Sequence, residues 1–175
     1  MKTAIGQKQL RPPALAFVLA AGFGTRMRPL TDRTPKPLLP LWGQPILHRL
    51  LVALKGWGVA HALVNVHHAP GPLLAYLRSS PVPGLRITPL PEAEILGTGG
   101  ALRAAAPYLS PDAEAPFWLV NGDIAMAGLA PDAFLRALAA APGALKRSRK
   151  PPSTSFFSSF KWLSRISASP SRFFF

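Results

Sequence analysis

A glycine-rich, cationic segment at residues 18–40, VLAAGFGTRMRPLTDRTPKPLLP, contains the residue types of this chain that are best suited to chemistry. Gly22 and Gly24 permit backbone conformations that other residues avoid, and successive free N–H groups in such a turn form a concave anion site. Arg26 offers several donors to phosphate oxygens, whereas Lys36 supplies a compact charge between two prolines that restrict its backbone. The segment therefore predicts a site for an anion such as a phosphate.

Further candidates for chemistry lie later in the chain. Asp123, in the sequence NGD, either initiates a turn or offers the hard carboxylate oxygens that Mg²⁺ prefers. Glu92 and Glu94 form a possible acid–base pair. His67 and His68 suggest a metal site, but adjacent residues at the end of a strand point to opposite sides. We therefore expect the two histidines to be structural or to lie at the edge of a cleft.

The elements that must position these residues alternate along the chain. Apolar runs predict strands over residues 14–20, 61–66, 85–90 and 117–121, and helical periodicity predicts helices over 45–54, 72–78, 99–109 and 131–140. This alternation predicts an α/β fold, a Rossmann-like three-layer sandwich with a mainly parallel sheet. Trp42 and Trp57 are expected to be packing residues.

In such sheets, ligands bind outside the carboxyl ends of the strands. The glycine-rich loop follows the first predicted strand, and residues 121–123 follow the fourth. Both segments are therefore expected at the same edge of the sheet, where they would share one cleft.

Charge and composition divide the chain of 175 residues, which has a formal net charge of +13. Residues 146–175 hold seven Lys or Arg, nine Ser and six Phe but no acid, whereas residues 1–145 hold all seven acids. We expect an N-terminal extension at 1–13, one folded domain at 14–145, and a basic Ser/Phe-rich tail at 146–175 that is disordered or non-native. The domain itself is only moderately basic, which suits phosphorylated small molecules.

Composition also bears on the cellular compartment. The chain has no cysteine, so disulfides and thiolate metal sites are excluded. A basic N-terminus followed by an apolar run at 14–21 is typical of a secretory signal, but Pro12 and Pro13 precede that run, which continues directly into GFGTR. We therefore interpret this run as the first strand and not as a signal. We also expect a cytoplasmic protein without a membrane span.

Three separated motifs carry a family resemblance. LAAGFGTRMRPLT followed by PKPLLP resembles the signature of the sugar-phosphate nucleotidyltransferases, and EILGTGGAL (94–102) and NGD (121–123) resemble two further motifs of that family in the expected order. The resemblance covers residues 16–141 and is greatest to the N-acetylmuramate-1-phosphate uridylyltransferases and mannose-1-phosphate guanylyltransferases. Molybdenum-cofactor guanylyltransferases, with a shorter loop ending in Gly-x-Asp-Lys, and thymidylyltransferases, with Lys-Gln in place of Lys36-Pro37, are less similar.

The resemblance implies the reaction of a nucleoside triphosphate, UTP or GTP, with a sugar 1-phosphate to give a nucleotide sugar and pyrophosphate. By resemblance, Arg26 would hold the departing pyrophosphate, Lys36 would neutralise the reacting phosphate, and Asp123 would ligate Mg²⁺. Glu94 would contact the nucleoside, and an ionised acceptor needs no general base. The nucleotide-binding residues implied in this way are Leu19, Ala20, Ala21, Gly22, Gly24, Thr25, Arg26, Lys36, Glu94, Gly97, Thr98 and Gly99.

The same resemblance ends near Leu145, and no acid follows Asp132 to serve as a second metal ligand. We therefore expect a fold incomplete at its C-terminal side, with a nucleotide half but no acceptor half. A truncated, catalytically inactive nucleotide-binding module is the alternative to an active enzyme. A basic tail protein that binds nucleic acid is a third interpretation, and we expect no specific nucleic-acid partner.

Overall fold

Four parallel strands flanked by helices form the framework in the computed structural model, which describes residues 12–109, 116–126 and 130–140. The elements, in chain order, are β1 (Leu15–Leu19), β2 (Pro40–Leu41), β3 (Gln44–Pro45), α1 (Ile46–Gly56), β4 (His61–Val66), α2 (Pro70–Arg78), β5 (Arg86–Pro91), α3 (Gly97–Leu109), β6 (Trp118–Asn121) and α4 (Pro131–Ala140). The sheet order is β5-β4-β1-β6, with every neighbouring pair parallel. The predicted α/β fold with a mainly parallel sheet is confirmed.

The predicted strands and helices are all present, and no boundary differs from its prediction by more than two residues. Two features were not anticipated. β2 and β3 form a two-stranded antiparallel hairpin, and short 3-10 turns occupy Thr25–Met27 and Lys36–Leu38. Elements of two or three residues are too short to show any hydrophobic period, so the pattern of the sequence could not reveal them.

Two apolar clusters cover the two faces of the sheet. On one face, Val18 and Val64 pack with the buried leucines of α1 and α2, and Phe134 of α4 joins them. On the other face, Phe17 and Leu63 pack against Ala101, Leu102 and Ala105 of α3. Successive residues of β1 thus face opposite layers, as a strand buried on both sides requires. The result is the expected three-layer arrangement, with β1 at its centre.

The two tryptophans expected to pack have different environments. Trp57 is buried and lies against Trp118, with ring centroids 5.1 Å apart, which confirms a packing role. Trp42 is 75% exposed, so the packing prediction was wrong for this residue. It occupies the tip of the β2–β3 hairpin with a φ of 50°, and the Arg49 guanidinium lies 5.3 Å from its ring centroid. A hairpin tip projects from the sheet, so its apolar side chain has no layer to pack against.

Strand β5 forms one edge of the described sheet, and its prolines fall at particular positions. The N–H groups of Arg86 and Glu92 donate to Ala60 O and Val66 O, so the even-numbered residues of β5 direct their donors towards β4. Pro89 and Pro91 are odd-numbered and lie on β5 at positions whose nitrogens face away from β4. Proline is tolerated there because no ladder hydrogen bond is lost.

Polar side-chain contacts connect β4 with β5, and α1 with α2, at a distance from the glycine-rich loop. At the start of β4, His61 Nε2 lies 2.9 Å from Thr88 Oγ1, and an Arg86 nitrogen lies 3.3 Å from His61 Nδ1. Burial and the positive charge of Arg86 lower the pKa of His61. Between α1 and α2, His48 Nδ1 lies 3.0 Å from the Tyr76 hydroxyl, and burial raises the pKa of Tyr76 to about 12.

Within the described ranges, no helix has the length and apolar character that a membrane span requires.

Candidate functional site

A cavity of about 530 Å³ opens at the carboxyl ends of the parallel strands. It is bordered by the loop after β1, the ends of β4 and β6, and the segment that connects β5 to α3. Most of the residues predicted for a nucleotide site line it together. They are Leu19, Ala20, Ala21, Gly22, Gly24, Thr25, Arg26, Lys36, Gly97, Thr98 and Asp123. Segments separated by about a hundred residues therefore converge on one concave surface.

The glycine-rich loop is held in one conformation by contacts at Gly24. Gly24 has a φ of 64°, and its carbonyl accepts a hydrogen bond from the Thr31 hydroxyl at 2.9 Å. A Cβ atom at position 24 would lie 2.9 Å from Thr31 Cγ2, so both the backbone angle and the available space require glycine. Among the described residues, the N–H groups of residues 22–24 have no partner, which leaves them available to an anion.

Lys36 and Asp123 form an ion pair across the cavity. Lys36 begins a 3-10 turn between two prolines, and Asp123 follows the end of β6. Gly122 makes this approach possible, because its N–H donates to Leu19 O at 2.8 Å and a Cβ atom there would lie 3.0 Å from that same oxygen. The close contact between the β6 turn and the end of β1 brings the carboxylate to the lysine.

Arg26 lines the same cavity from the first 3-10 turn and is exposed. Within the part of the chain that the structure describes, it forms no ion pair, so its guanidinium is available to a ligand. Arg28 and Arg33, which belong to the same loop, are also exposed but lie outside the cavity lining. Arg28 instead pairs with Asp32 at 3.4 Å. One arginine of the loop is thus directed to the site and two are not.

Asn65 and Glu92 line the cavity although the sequence motifs did not select them. Asn65 is the only polar residue inside the otherwise apolar β4 besides its first residue, His61, and it is 4% exposed. A polar side chain in a buried strand needs hydrogen-bond partners, so its position in HALVNV was an available signal. From the sequence, Glu92 is expected only as part of an acid–base pair with Glu94.

The segment after β4 supports the glycine-rich loop from outside. The Phe23 ring lies edge-on to both His67 and His68, with centroid distances of 5.5 and 5.6 Å. His68 Nε2 also lies 3.1 Å from Thr31 O, and His67 Nδ1 lies 3.0 Å from Glu92 O. The two histidines are therefore structural residues, as expected, although both contact the same ring and do not point to opposite sides. In the described ranges, no group of three His, Asp or Glu residues could hold a metal ion.

Two residues of the predicted nucleotide site lie outside this cavity. Gly99 lies within α3, and Glu94 lines a second cavity of about 520 Å³ between β5 and α3. Glu92 lines both cavities, whereas the exposed Glu94 lines only the second. On this side of the first cavity the lining carboxylate is therefore that of Glu92, and the contact of Glu94 with a nucleoside stays a prediction.

Asp123 is the described residue best suited to hold a metal ion in the first cavity. Its carboxylate offers hard oxygen donors, and Mg²⁺ in nucleotide sites is commonly bound by one or two carboxylates together with substrate phosphates. Both Glu92 oxygens accept hydrogen bonds, at 2.8 Å from Asn65 Nδ2 and at 3.3 Å from Leu96 N. The donor set fits an ion held by one carboxylate and completed by ligand oxygens.

Comparison with known proteins gives consistent matches. The chain is 40% identical over 131 residues to the N-acetylmuramate alpha-1-phosphate uridylyltransferase of Caulobacter vibrioides. This alignment covers 71% of this chain and 53% of that protein. It is 36% identical over 110 residues to the probable mannose-1-phosphate guanylyltransferase 1 of Oryza sativa, covering 62% of this chain and 30% of that protein. The chain thus spans between about a third and a half of the length of these relatives.

Solved structures agree with this comparison. HddC from Yersinia pseudotuberculosis, in a complex with GMP-PN, superimposes with a TM-score of 0.56 at 26% identity, covering 71% of this chain and 53% of that one. The family profile described as the MobA-like NTP transferase domain matches residues 16–151, which include the glycine-rich loop, Lys36 and Asp123. The chain therefore belongs to the MobA-like NTP transferase domain family.

Proposed function

We propose that this chain supplies the nucleotide-binding site of a sugar-1-phosphate nucleotidyltransferase. The observation that carries the proposal is the convergence of the glycine-rich loop, Arg26, Lys36 and Asp123 on one cavity at the carboxyl edge of the sheet. These groups are those that a triphosphate and its metal ion require. The relatives named for mannose 1-phosphate and N-acetylmuramate 1-phosphate make a sugar 1-phosphate the preferred acceptor.

In the proposed reaction, an acceptor phosphate oxygen bonds to the α-phosphorus of the triphosphate. The bond from that phosphorus to the bridging oxygen breaks, and pyrophosphate leaves with the electron pair. Because the attacking oxygen is already ionised, no residue has to remove a proton. Catalysis is then a matter of positioning and of stabilising negative charge.

The described residues divide these tasks. The N–H groups of residues 22–24 and the Arg26 guanidinium would bind the triphosphate, and Lys36 would stabilise charge at the reacting phosphate. Asp123 would hold Mg²⁺, which neutralises phosphate charge when it is bound. Gly97 and Thr98 would lie along the nucleoside at the start of α3.

The proposed nucleotide is GTP or UTP, and the proposed compartment is the cytoplasm. Guanylyltransferases and a uridylyltransferase are among the relatives, and HddC has been crystallised with GMP-PN. We further propose that residues 14–145 form the nucleotide-binding domain, with residues 1–13 and 146–175 outside it. Because the chain spans only part of its relatives, nucleotide binding and turnover need separate tests.

Titration calorimetry with GTP and UTP in the presence of Mg²⁺ tests the binding step. Arg26→Ala removes a cation that lines the cavity, whereas Arg28→Ala removes one from the same loop that does not. We expect affinity to fall about tenfold or more for Arg26→Ala, as for the loss of hydrogen bonds to a charged group, and to stay within about twofold for Arg28→Ala. Equal losses in both variants would contradict the phosphate-site assignment.

Pyrophosphate release with a panel of sugar 1-phosphates tests turnover. Release that depends on both substrates would identify an active enzyme. Tight binding of the triphosphate without release would favour the alternative, a nucleotide-binding module that does not catalyse the transfer.

A further inference from the structure

Asn65 is a buried polar side chain at the end of β4, and both ends of its amide group are hydrogen-bonded. Its Oδ1 atom accepts a hydrogen bond from the Ala20 N–H at 2.5 Å, and its Nδ2 atom donates to Glu92 Oε1 at 2.8 Å. In the sheet register Asn65 lies opposite Leu19, the last residue of β1. Asn65 therefore contacts the first peptide of the glycine-rich loop on one side and the end of β5 on the other.

Glu92 continues this connection to the start of α3. Its Oε2 atom accepts a hydrogen bond from Leu96 N at 3.3 Å. Its backbone is also held, because its N–H donates to Val66 O at 2.8 Å and its carbonyl oxygen lies 3.0 Å from His67 Nδ1. Hydrogen bonds thus run without interruption from Ala20, through Asn65 and Glu92, to the segment that begins α3.

The chemistry of this connection restricts the residue at position 65. Ala20 N–H needs an acceptor, and the Glu92 side-chain oxygen needs a donor. A carboxamide of this length meets both needs at once, whereas aspartate lacks the donor and leucine lacks both groups. A buried N–H that loses its partner is costly, so replacement would disturb the loop and not only the contact itself.

We infer that Asn65 is a positioning residue that joins the glycine-rich loop and the Glu92 turn into one unit. This inference rests on the proposed function, because the two joined segments would bind the triphosphate and the nucleoside of the same ligand. The orientation of the Ala20 peptide determines the direction from which residues 22–24 present their N–H groups. Asn65 thereby sets the geometry of both sides of the cavity without taking part in bond formation.

A swap of donor and acceptor roles tests this coupling. Asn65→Asp keeps the acceptor for Ala20 N–H but places a carboxylate against Glu92. In Glu92→Gln, the side-chain oxygen can still accept a hydrogen bond from Asn65. Its NH₂ group then faces Leu96 N, which is also a donor. In the double variant Asn65→Asp/Glu92→Gln, Asp accepts from Ala20 and from Gln, and the Gln oxygen accepts from Leu96. The double variant restores every hydrogen bond and the original net charge.

We expect each single variant to weaken the binding of Mg·GTP or Mg·UTP about tenfold in titration calorimetry, and the double variant to recover to within about threefold of wild type. Amide hydrogen exchange, followed by NMR in the chain without ligand, is the second measurement. Glu92→Gln should reduce the protection of the Ala20 amide, and the double variant should restore it. Asp132→Asn, which removes an exposed carboxylate on α4, is the control for loss of charge and should change neither measurement.

Additive losses of affinity in the double variant, together with unchanged Ala20 protection in Glu92→Gln, would overturn the inference. If Asn65→Asp does not fold, the double variant still decides, because recovery of folding supports the coupling and failure to recover contradicts it. If wild type binds neither nucleotide, the proposed function fails instead, and the exchange data alone determine whether Ala20, Asn65 and Glu92 are coupled.

Discussion

Lys36 and Asp123 each have two competing partners in the proposed site. In the structure they pair with one another, whereas in the proposed complex Lys36 would contact phosphate and Asp123 would contact Mg²⁺. Both side chains are partly exposed, and exposed ion pairs contribute at most about 1 kcal/mol, so a triphosphate and its metal ion can separate them readily. Removal of the lysine should therefore affect the two ligands in opposite directions.

We expect Lys36→Met to bind Mg²⁺ alone up to about fivefold more tightly, because Asp123 loses a cation that competes with the metal. The same variant should bind the nucleoside triphosphate more weakly, by about tenfold or more, because a charged donor to phosphate is lost. Calorimetric titrations of wild type and variant with Mg²⁺ and then with Mg·GTP measure both changes. A decrease in both affinities would mean that Lys36 supports the position of Asp123 and does not compete for it.

Gly24 allows a second test at the level of a residue, and Gly43 is its matched control. Both have a positive φ, of 64° and 76°, but a Cβ atom at position 24 would contact Thr31 Cγ2 at 2.9 Å, whereas at position 43 it would meet nothing within 4 Å. Gly43→Ala should lower the free energy of unfolding by about 1–2 kcal/mol through backbone strain alone. Gly24→Ala should lower it by about 1–3 kcal/mol more, because Thr31 must move. Urea unfolding followed by tryptophan fluorescence gives both values, and equal losses would show that the Thr31 contact is easily relieved.

At the level of elements, the strands could be predicted from the sequence, but the connections between them could not. The apolar run HALVNV and the run at 15–19 identify β4 and β1, yet only their register brings Asn65 next to Ala20. Similarly, the family resemblance selected Glu94 for the nucleotide site, whereas the first cavity is lined by Glu92. That difference depends on the turn before α3, in which Glu92 accepts one hydrogen bond from the distant Asn65 side chain and one from the nearby Leu96 N–H. The bond from Asn65 cannot be read from the local sequence pattern.

The start of β4 provides a prediction on pH dependence. Burial and Arg86 lower the pKa of His61 below its ordinary value of 6.5, so the folded chain disfavours the protonated form. The stability gained from keeping His61 neutral is fully present above the pKa of His61 in the unfolded chain. It is lost as the pH falls through the lower pKa of His61 in the folded chain. Between about pH 7.5 and about pH 5, wild type should therefore lose more stability than His61→Gln, whose amide can still donate to Thr88. Thermal unfolding midpoints across this range provide the measurement, and identical slopes would mean that His61 titrates without cost to the fold.

At the level of the whole molecule, the net charge of +13 is unevenly distributed along the chain. Residues 146–175 contribute seven cations and no acid, whereas the cavity lining identified among the described residues comes from positions 19–123. Excess positive charge attracts nucleic acid without sequence preference, and that attraction weakens steeply as salt rises. Weak binding to nucleic acid and binding of the nucleotide should therefore depend on different parts of the chain.

We expect a chain that ends at residue 145 to bind Mg·GTP or Mg·UTP with an affinity within about twofold of the full chain. Binding to a short DNA duplex should have a logarithmic salt slope of up to about −6 for the full chain, from seven cations, and this slope should be largely lost after the deletion. Fluorescence anisotropy at several salt concentrations measures the slope. A large loss of nucleotide affinity on deletion would place part of the nucleotide site in the tail.

The prolines of β5 have a consequence for how the sheet can be extended. Because Pro89 and Pro91 occupy positions whose nitrogens face away from β4, the outer side of this strand presents fewer donors to an incoming strand. Self-association and the addition of further strands are therefore disfavoured on the β5 side. Extension of the sheet is directed to the opposite side, beyond β6, and any strand added there would lie close to Asp123. An added strand would thus bring its own side chains to the side of the cavity where Asp123 lies, next to the proposed position of the metal ion.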